Sequence, residues 1–172
     1  MEINRCWCMP NKNTFEMNPV KRLIYKYFKN SFISIDPFAN KNKICKITND
    51  LDNSFNTDYN LDALDFCKQF DDNSVDFVLF DPPYSPRQVS ESYKKLGKSV
   101  NMQTTQSSFW GNIKNEIARI TKSNGIVICF GWNSQGIGKK RGFINKEILL
   151  IAHGGNHNDT ICVVEIKKNK LF

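Results

Sequence analysis

Short runs rich in Val, Ile and Phe alternate along this chain with segments whose apolar residues recur at helical spacing. The runs predict strands at residues 31–35, 43–48, 74–80, 125–130, 143–152 and 160–167. The helical spacing predicts helices at residues 19–28, 61–70 and 109–121. Because strands and helices alternate, we predict an α/β fold with a single doubly wound, mostly parallel sheet, whose last two strands form an antiparallel hairpin.

Two details concern the first helix and the middle of the chain. Asn18 is expected to cap the first helix, with Pro19 at its first helical position. Residues 85–105 are polar and show no period, which predicts a long loop of the kind that is usually functional or mobile. Residues 136–142 are rich in Gly and Lys and predict a shorter loop.

Acidic residues follow three of the predicted strands. Asp36, Asp50 and Asp81 each stand where a strand ends or shortly after it. Open α/β sheets bind ligands at the carboxyl ends of their strands, where the strand order reverses. The pattern therefore predicts a ligand site that these three carboxylates share, although Asp is also common in ordinary turns.

The segment Asp81-Pro82-Pro83-Tyr84 has the chemistry to hold a flat amine. The two prolines lack an N–H and fix their own φ, so the backbone carbonyls there are free and rigidly oriented. Asp81 and the Pro82 carbonyl offer two acceptors for the hydrogens of an exocyclic amino group, and Tyr84 offers a face for a base to stack on. Two acceptors pull such a nitrogen toward tetrahedral geometry and expose its lone pair to an electrophilic methyl group.

The composition is that of a soluble globule of one domain, with 172 residues of which 40% are hydrophobic. No apolar stretch is long enough to cross a bilayer, and residues 1–8 lack the apolar core of a signal peptide, so we expect a cytoplasmic protein. The six cysteines are scattered, and His153 and His157 have no evident third ligand. We therefore predict no metal site.

The order of strand ends and acids, together with Asp81-Pro82-Pro83-Tyr84, resembles the S-adenosylmethionine-dependent DNA adenine-N6 methyltransferases. The likeness spans almost the whole chain and is greatest to short, stand-alone versions carried by bacteriophages and prophages. It implies the Rossmann-like class I methyltransferase fold, S-adenosylmethionine as cofactor, and DNA as partner. The segment from Asp81 to Tyr84 then matches the catalytic motif.

The resemblance also implies a set of cofactor contacts. Asp36-Pro37-Phe38-Ala39 matches the first cofactor motif, and Asp50 matches the acid that accepts hydrogen bonds from the ribose hydroxyls, with Asp52 as a possible substitute. Asp62, followed by Ala63, matches the residue that touches the cofactor adenine. The remaining matches close over the methionine end of the cofactor and are Asn13, Thr14 and Phe15.

The chain departs from the family pattern in two respects. The first motif normally continues with two glycines, whereas this chain has Asn40 and Asn42. Asn40 is able to replace a glycine in part, because Asn visits the left-handed region. The target-reading region of the sequence-specific members is missing, so recognition is expected from loops, from a second copy or partner subunit, or hardly at all.

An acceptor base must be flipped out of a duplex or already unpaired, which requires contacts to phosphates. The net charge of +7 suits such a polyanion, although an AT-rich genome also enriches Lys. Trp132 either belongs to the core or borders a pocket for the base. The candidate phosphate contacts, each of which has plain solvated surface as its alternative, are Arg87, Lys94, Lys95, Lys98, Lys139, Lys140 and Arg141.

The resemblance thus predicts an enzyme that transfers a methyl group to adenine N6 in DNA. Three alternatives keep the chemistry and change the acceptor: adenine in RNA, cytosine N4, or a glutamine amide. A fourth alternative is a relative that binds DNA or the cofactor without catalysis, which the missing glycines motivate.

Overall fold

A computed structural model describes residues 1–29, 33–95, 97 and 107–169. The described strands are β1 (Glu2–Trp7), β2 (Ser34–Asp36), β3 (Ile47–Thr48), β4 (Val75–Phe80), β5 (Thr121–Gly131), β6 (Phe143–Ala152) and β7 (Thr160–Lys167). The described α-helices are α1 (Asn18–Tyr27), α2 (Ala63–Cys67), α3 (Pro86–Lys95) and α4 (Ser107–Ile120). None of the described helices is long and apolar enough to span a membrane.

The described strands form one mixed sheet in the order β1-β6-β7-β5-β4-β2-β3. β7 runs antiparallel to both of its neighbours, β5 and β6. The other strand pairs are parallel. The predicted doubly wound, mostly parallel sheet with a carboxyl-terminal antiparallel hairpin is therefore confirmed.

Strand β4 is buried on both faces of the sheet and shows how the core is divided. Phe77 and Leu79 belong to the hydrophobic cluster under α1. Val78 and Phe80 belong to the cluster under α2 and α4. Successive strand residues point to opposite faces, so a strand covered by helices on both sides needs a continuous apolar run. This explains why the run from Val75 to Phe80 was recognisable from the sequence.

Several predicted boundaries were wrong. Helix α3 lies inside the segment predicted as a loop at residues 85–105, of which residues 96 and 98–106 lie outside the described chain. Met17, not Asn18, is the N-cap of α1. The second predicted strand shrinks to Ile47–Thr48, because residues 38–46 form turns. Strand β5 begins at Thr121, four residues earlier than predicted.

Strand β1 at the edge of the sheet was missed. Its side chains are mostly exposed, so the sequence carries no alternation that marks a half-buried strand. The strand pairs in parallel with β6, and its Asn4 side chain donates to the buried Glu147 at 3.1 Å. Glu147 also accepts from Lys26 at 2.6 Å and Tyr27 at 2.7 Å, which joins α1 to the same edge.

Candidate active site

The carboxyl ends of β2, β3 and β4 surround a cavity of about 700 Å³, called the first cavity below. The chain leaves β2 for β3 and returns to β4 on the other side of β2, so the strand order reverses here, where α/β sheets bind ligands. The volume suits a small-molecule site. The predicted site residues that line the first cavity are Asn13, Thr14, Phe15, Pro37, Phe38, Ala39, Asp50, Asp62, Ala63, Asp81, Pro82, Pro83 and Tyr84.

Asp36 is the predicted cofactor residue that the structure places behind the cavity wall. Its carboxylate is completely buried and accepts from the Phe38 backbone N–H at 3.1 Å and the Asn42 side chain at 3.3 Å. Burial raises the pKa of Asp36 well above its usual value. Asp36 therefore shapes the loop after β2 from within.

The loop after β2 contains a left-handed turn at Asn40. Asn40 has a φ of 51°, so the expectation that it adopts this region, which glycine adopts readily, is confirmed. Its backbone N–H donates to the Asp50 carboxylate at 2.9 Å. The turn and the acid after β3 are thus fixed to each other.

Asp50 presents a rigidly held carboxylate to the first cavity. One carboxylate oxygen accepts from Asn40, and the other accepts from the Asp52 backbone N–H at 2.9 Å. A carboxylate with two oxygens held in this way suits a pair of neighbouring hydroxyl groups. Asp52 also lines the cavity, but its carboxylate accepts from the Ser54 backbone N–H at 3.0 Å.

Asp62 caps helix α2 at the border of the first cavity. One carboxylate oxygen accepts from the Leu64 backbone N–H at 3.0 Å, and the other accepts from the Tyr93 hydroxyl at 2.5 Å. Tyr93 belongs to α3, so this hydrogen bond joins α3 to the rim of the cavity. Burial raises the pKa of the Tyr93 hydroxyl, which therefore stays protonated and donates.

Asp81 lies at the end of β4, partly buried, with its carboxylate next to two hydroxyl donors. The Tyr84 hydroxyl donates to one carboxylate oxygen. Burial raises the pKa of Asp81 to about 6, although hydrogen bonds from Tyr84 and Thr14 oppose the shift. The Tyr84 backbone N–H donates to the Gln88 side chain at 2.5 Å, so α3 also holds the turn that follows the prolines.

A second cavity of about 320 Å³ lies on the other side of Pro82, Pro83 and Tyr84, which line both cavities. Trp132 lines this second cavity, and its ring meets the Tyr84 ring edge-on with centroids 5.5 Å apart. Trp132 is 41% exposed, so it is not a core residue and the structure places it at the edge of a pocket.

Residues 136–138, of which Gly136 lines the second cavity, are held by a buried carboxylate. Glu165 on β7 accepts from the backbone N–H groups of Ile137 at 2.5 Å and Gly138 at 3.0 Å. Gly136 has a φ of 56° and leaves no room for a side chain beside Glu165. The sequence contained no signal for this long-range anchor.

The predicted phosphate contacts are dispersed. Arg87 pairs with Glu91 at 2.7 Å, and Lys94 is exposed on the same helix. Lys139 and Lys140 are exposed in a short 3-10 turn. Lys98 and the side chain of Lys95 lie outside the described part of the chain.

Arg141 is partly buried and lines the second cavity. Its guanidinium donates to Asn115 at 2.7 Å, to the Ile137 carbonyl at 3.1 Å and to the Gly111 carbonyl at 3.3 Å. It therefore ties the loop at residues 136–142 to helix α4.

Some lining residues of the first cavity were not predicted. Helix α3 contributes Gln88, Val89 and Tyr93. Val89 and Tyr93 are one helical turn apart, which is a weak signal of a helix in the sequence. Trp110 lines both cavities. Lysines 12, 21, 41 and 43 also line the first cavity and come from segments far apart in sequence. No local pattern marked these lysines.

No protein-family model matches this chain, and no curated protein sequence matches it. Several solved structures match this chain. TrmN from Thermus thermophilus is 14% identical, with a TM-score of 0.56, over 88% of this chain and 49% of TrmN. The 1,6-didemethyltoxoflavin-N1-methyltransferase of Burkholderia thailandensis, solved with 1,6-didemethyltoxoflavin and S-adenosylhomocysteine, is 8% identical, with a TM-score of 0.58, over 88% of this chain and 78% of that enzyme.

This chain thus spans about half the length of TrmN. At such low identities the likeness is one of fold. The predicted Rossmann-like class I methyltransferase fold is confirmed, and the sheet that carries both cavities is the sheet of that fold.

Proposed function

We propose that this protein transfers the methyl group of S-adenosylmethionine to the N6 amino group of adenine in DNA. One observation carries the proposal: Pro82, Pro83 and Tyr84 line both cavities and Asp81 lines the first, so a donor in one cavity and an acceptor in the other would meet at this turn. A methyl transferase needs this arrangement, because its two substrates must be held in line.

The first cavity fits S-adenosylmethionine. Asp50 and Asp62 both line it, and carboxylates accept hydrogen bonds from a ribose diol and from an adenine amino group. Carboxylates and aromatic rings favour a sulfonium cation, and Asp81, Phe38 and Tyr84 all line the cavity. The fold neighbour from Burkholderia thailandensis was solved with S-adenosylhomocysteine, which supports the same cofactor class.

When bound, the cofactor supplies an electrophilic methyl group. The residues of this chain prepare the nucleophile. Asp81 accepts from Tyr84 and Thr14, and a carboxylate has about four lone-pair sites, so Asp81 and the Pro82 carbonyl are acceptors for the two hydrogens of an amino group. With a pKa of about 6, Asp81 is ionised at neutral pH and accepts strongly. Tyr84 and Trp132 offer aromatic faces to the base in the second cavity.

Among possible acceptors, adenine in DNA is favoured by the likeness of Asp81-Pro82-Pro83-Tyr84 to the adenine-N6 enzymes and by the net charge of +7. Adenine in RNA, cytosine N4 and a glutamine amide offer the same planar NH₂ group and remain outcomes of the test. The alternative of a non-catalytic relative rested on the missing glycines, and the left-handed Asn40 removes much of its motivation.

The test is to incubate the purified protein with S-adenosylmethionine and with DNA or RNA, followed by mass spectrometry of the nucleosides. We expect N6-methyladenine in DNA from the unmodified protein and none from Asp81→Ala, because the substitution removes one of the two amine acceptors. Asp65→Ala removes an exposed carboxylate on α2 that lines neither cavity, and we expect it to keep full activity. Methylcytosine alone, or an active Asp81→Ala variant, would refute the assignment.

A further inference from the structure

The mouth of the first cavity carries a group of side chains that the cofactor site does not use. Lys12, Lys21, Tyr25 and Lys41 all line this cavity and are all exposed. They come from the segment before α1, from α1 itself and from the loop after β2. We call these four residues the basic rim.

The lysines of the basic rim have no electrostatic partner among the described residues. Lys26, Lys68 and Lys122, elsewhere on the surface, each form an ion pair with a carboxylate. For the rim lysines no ion pair and no side-chain hydrogen bond is found within the described ranges. Lys43, nearby, is different, because it donates to the Asn56 carbonyl at 2.6 Å. The rim therefore presents positive charge that the protein itself does not neutralise.

Six acids also line the first cavity. Asp50, Asp52, Asp62 and Asp81 are partly buried, and Glu91 pairs with Arg87 at 2.7 Å. Glu16 is exposed and accepts from Asn11 at 3.4 Å. Among the described exposed charges of this cavity that no ion pair neutralises, the three rim lysines therefore outnumber Glu16. A surface of this sign attracts a polyanion and steers its approach.

Tyr25 gives the basic rim an aromatic face. It is 62% exposed and stands one helical turn after Lys21, so the two side chains lie on the same side of α1. A large exposed ring between lysines is the combination that binds unpaired nucleic-acid strands, because bases stack on the ring while lysines hold the phosphates.

The basic rim lines the same cavity as Asp81, Pro82, Pro83 and Tyr84. Lys12 is two residues from Thr14, whose side chain hydrogen-bonds Asp81. We propose that the basic rim binds the phosphate backbone of an unpaired acceptor strand, with Tyr25 stacking on one of its bases, next to the nucleotide that enters the site at Tyr84. This inference rests on the proposed nucleic-acid acceptor and adds where and in what form that acceptor is held.

The test compares two triple variants that remove equal charge. Lys12→Ala/Lys21→Ala/Lys41→Ala removes the rim lysines, and Lys46→Ala/Lys146→Ala/Lys168→Ala removes three exposed lysines that line neither cavity. Binding of a labelled strand of about 15 nucleotides is followed by fluorescence anisotropy between about 50 and 200 mM salt. Single-stranded DNA, single-stranded RNA and duplex DNA of one sequence are the three probes.

We expect the rim variant to lose at least about tenfold in affinity for single strands at low salt. Each phosphate contact on a single strand contributes about 0.7 to the slope of log K against log salt, so loss of three contacts lowers the slope by about 2. Tyr25→Ala is expected to lose about 5- to 100-fold while keeping the slope, because stacking does not depend on ion release. The control triple variant keeps both quantities, and duplex DNA binds more weakly than single strands.

An unchanged slope in the rim variant, a larger loss in the control, or a preference for the duplex overturns the inference. A rim variant that loses affinity for S-adenosylmethionine in the absence of any strand, with strand binding intact, also overturns it, since the lysines then hold the cofactor. Methyl transfer is measured separately. If strand binding depends on the rim but no base is methylated, the proposed function is wrong and the inference about the rim stands. If methyl transfer occurs and the rim variant has an unchanged KM for the strand, the inference about the rim is wrong and the proposed function stands.

Discussion

Two opposing requirements determine how the ionisation of Asp81 depends on pH. It has to be ionised to accept from an amine, yet its position at the end of β4 is partly buried. Folding raises its pKa from 3.8 to about 6, so the folded state holds the proton more tightly than the unfolded chain. The stability that this group contributes is full below a pH near 3.8 and is lost as the pH rises through about 6.

Asp81→Asn is therefore expected to stabilise the fold at neutral pH while it abolishes transfer. The amide cannot ionise, so the free energy of unfolding near pH 7.5 should rise by up to about 3 kcal/mol, and the difference should vanish near pH 3.5. Urea unfolding of both proteins at the two pH values measures this. A variant that is less stable than the unmodified protein at neutral pH would show that the charge of Asp81 is compensated in the fold.

Asp50 is the residue for which cofactor binding and acceptor binding separate most clearly. Its carboxylate lines the first cavity and not the second. We expect Asp50→Ala to weaken binding of S-adenosylmethionine at least about tenfold, because a pair of charge-assisted hydrogen bonds is lost. The affinity for the strand should change by less than about twofold. Calorimetry with the cofactor and anisotropy with the strand give the two values. If Asp52→Ala shows the larger loss of cofactor affinity, the ribose acid is Asp52.

Loop 136–142 shows how an element can depend on one distant carboxylate. Gly136 and Gly142 both have positive φ, but a Cβ at Gly142 meets nothing within 4 Å, whereas one at Gly136 would overlap the Glu165 carboxylate. Gly142→Ala is expected to destabilise by about 1 kcal/mol from backbone strain alone. Gly136→Ala adds overpacking and should reach about 2–4 kcal/mol.

The paired glycine variants are compared by thermal and urea unfolding. Because Gly136 lines the second cavity and Gly142 does not, Gly136→Ala should also lower the rate of transfer, while Gly142→Ala should keep it. Equal destabilisation by the two substitutions would mean that Glu165 moves aside and does not fix the loop.

Elements were predictable from the sequence where local burial determines the pattern. Strand β4 is buried along both faces, and its apolar run stood out. Strand β1 is exposed and pairs with β6 more than 140 residues away, so neither composition nor period marked it. Helix α3 is mostly polar, and Val89 is its buried apolar contact, which is too little to distinguish a helix from a loop.

Site residues followed the same rule. Asp50 and Asp81 could be predicted to line one cavity because the ends of parallel strands meet at one edge of the sheet. The direction of each side chain could not be predicted, and Asp36 turned inward because the Phe38 N–H and the Asn42 amide were available to it. The basic rim joins three segments, and only the folded chain brings them together.

At the scale of the whole molecule, cofactor binding and folding are linked. A ligand that binds only the folded state at about 100 times its Kd stabilises by about 2.7 kcal/mol. For a chain of 172 residues this corresponds to a rise in Tm of about 5–10 °C. We expect S-adenosylmethionine and S-adenosylhomocysteine to produce shifts in this range, because both carry the ribose diol and the adenine that Asp50 and Asp62 are placed to meet.

Free methionine should leave the Tm unchanged, since it lacks the ribose and adenine. At the same concentration of S-adenosylmethionine, the Tm of Asp50→Ala should rise less than the Tm of the unmodified protein. Asp65→Ala, which lies outside both cavities, should shift as the unmodified protein does. Differential scanning fluorimetry over a series of ligand concentrations measures these Tm shifts. A Tm that does not respond to S-adenosylmethionine at millimolar concentration would show that the turn at Asn40 does not restore what the glycines provide in the resembled family, and the first cavity would then need another ligand.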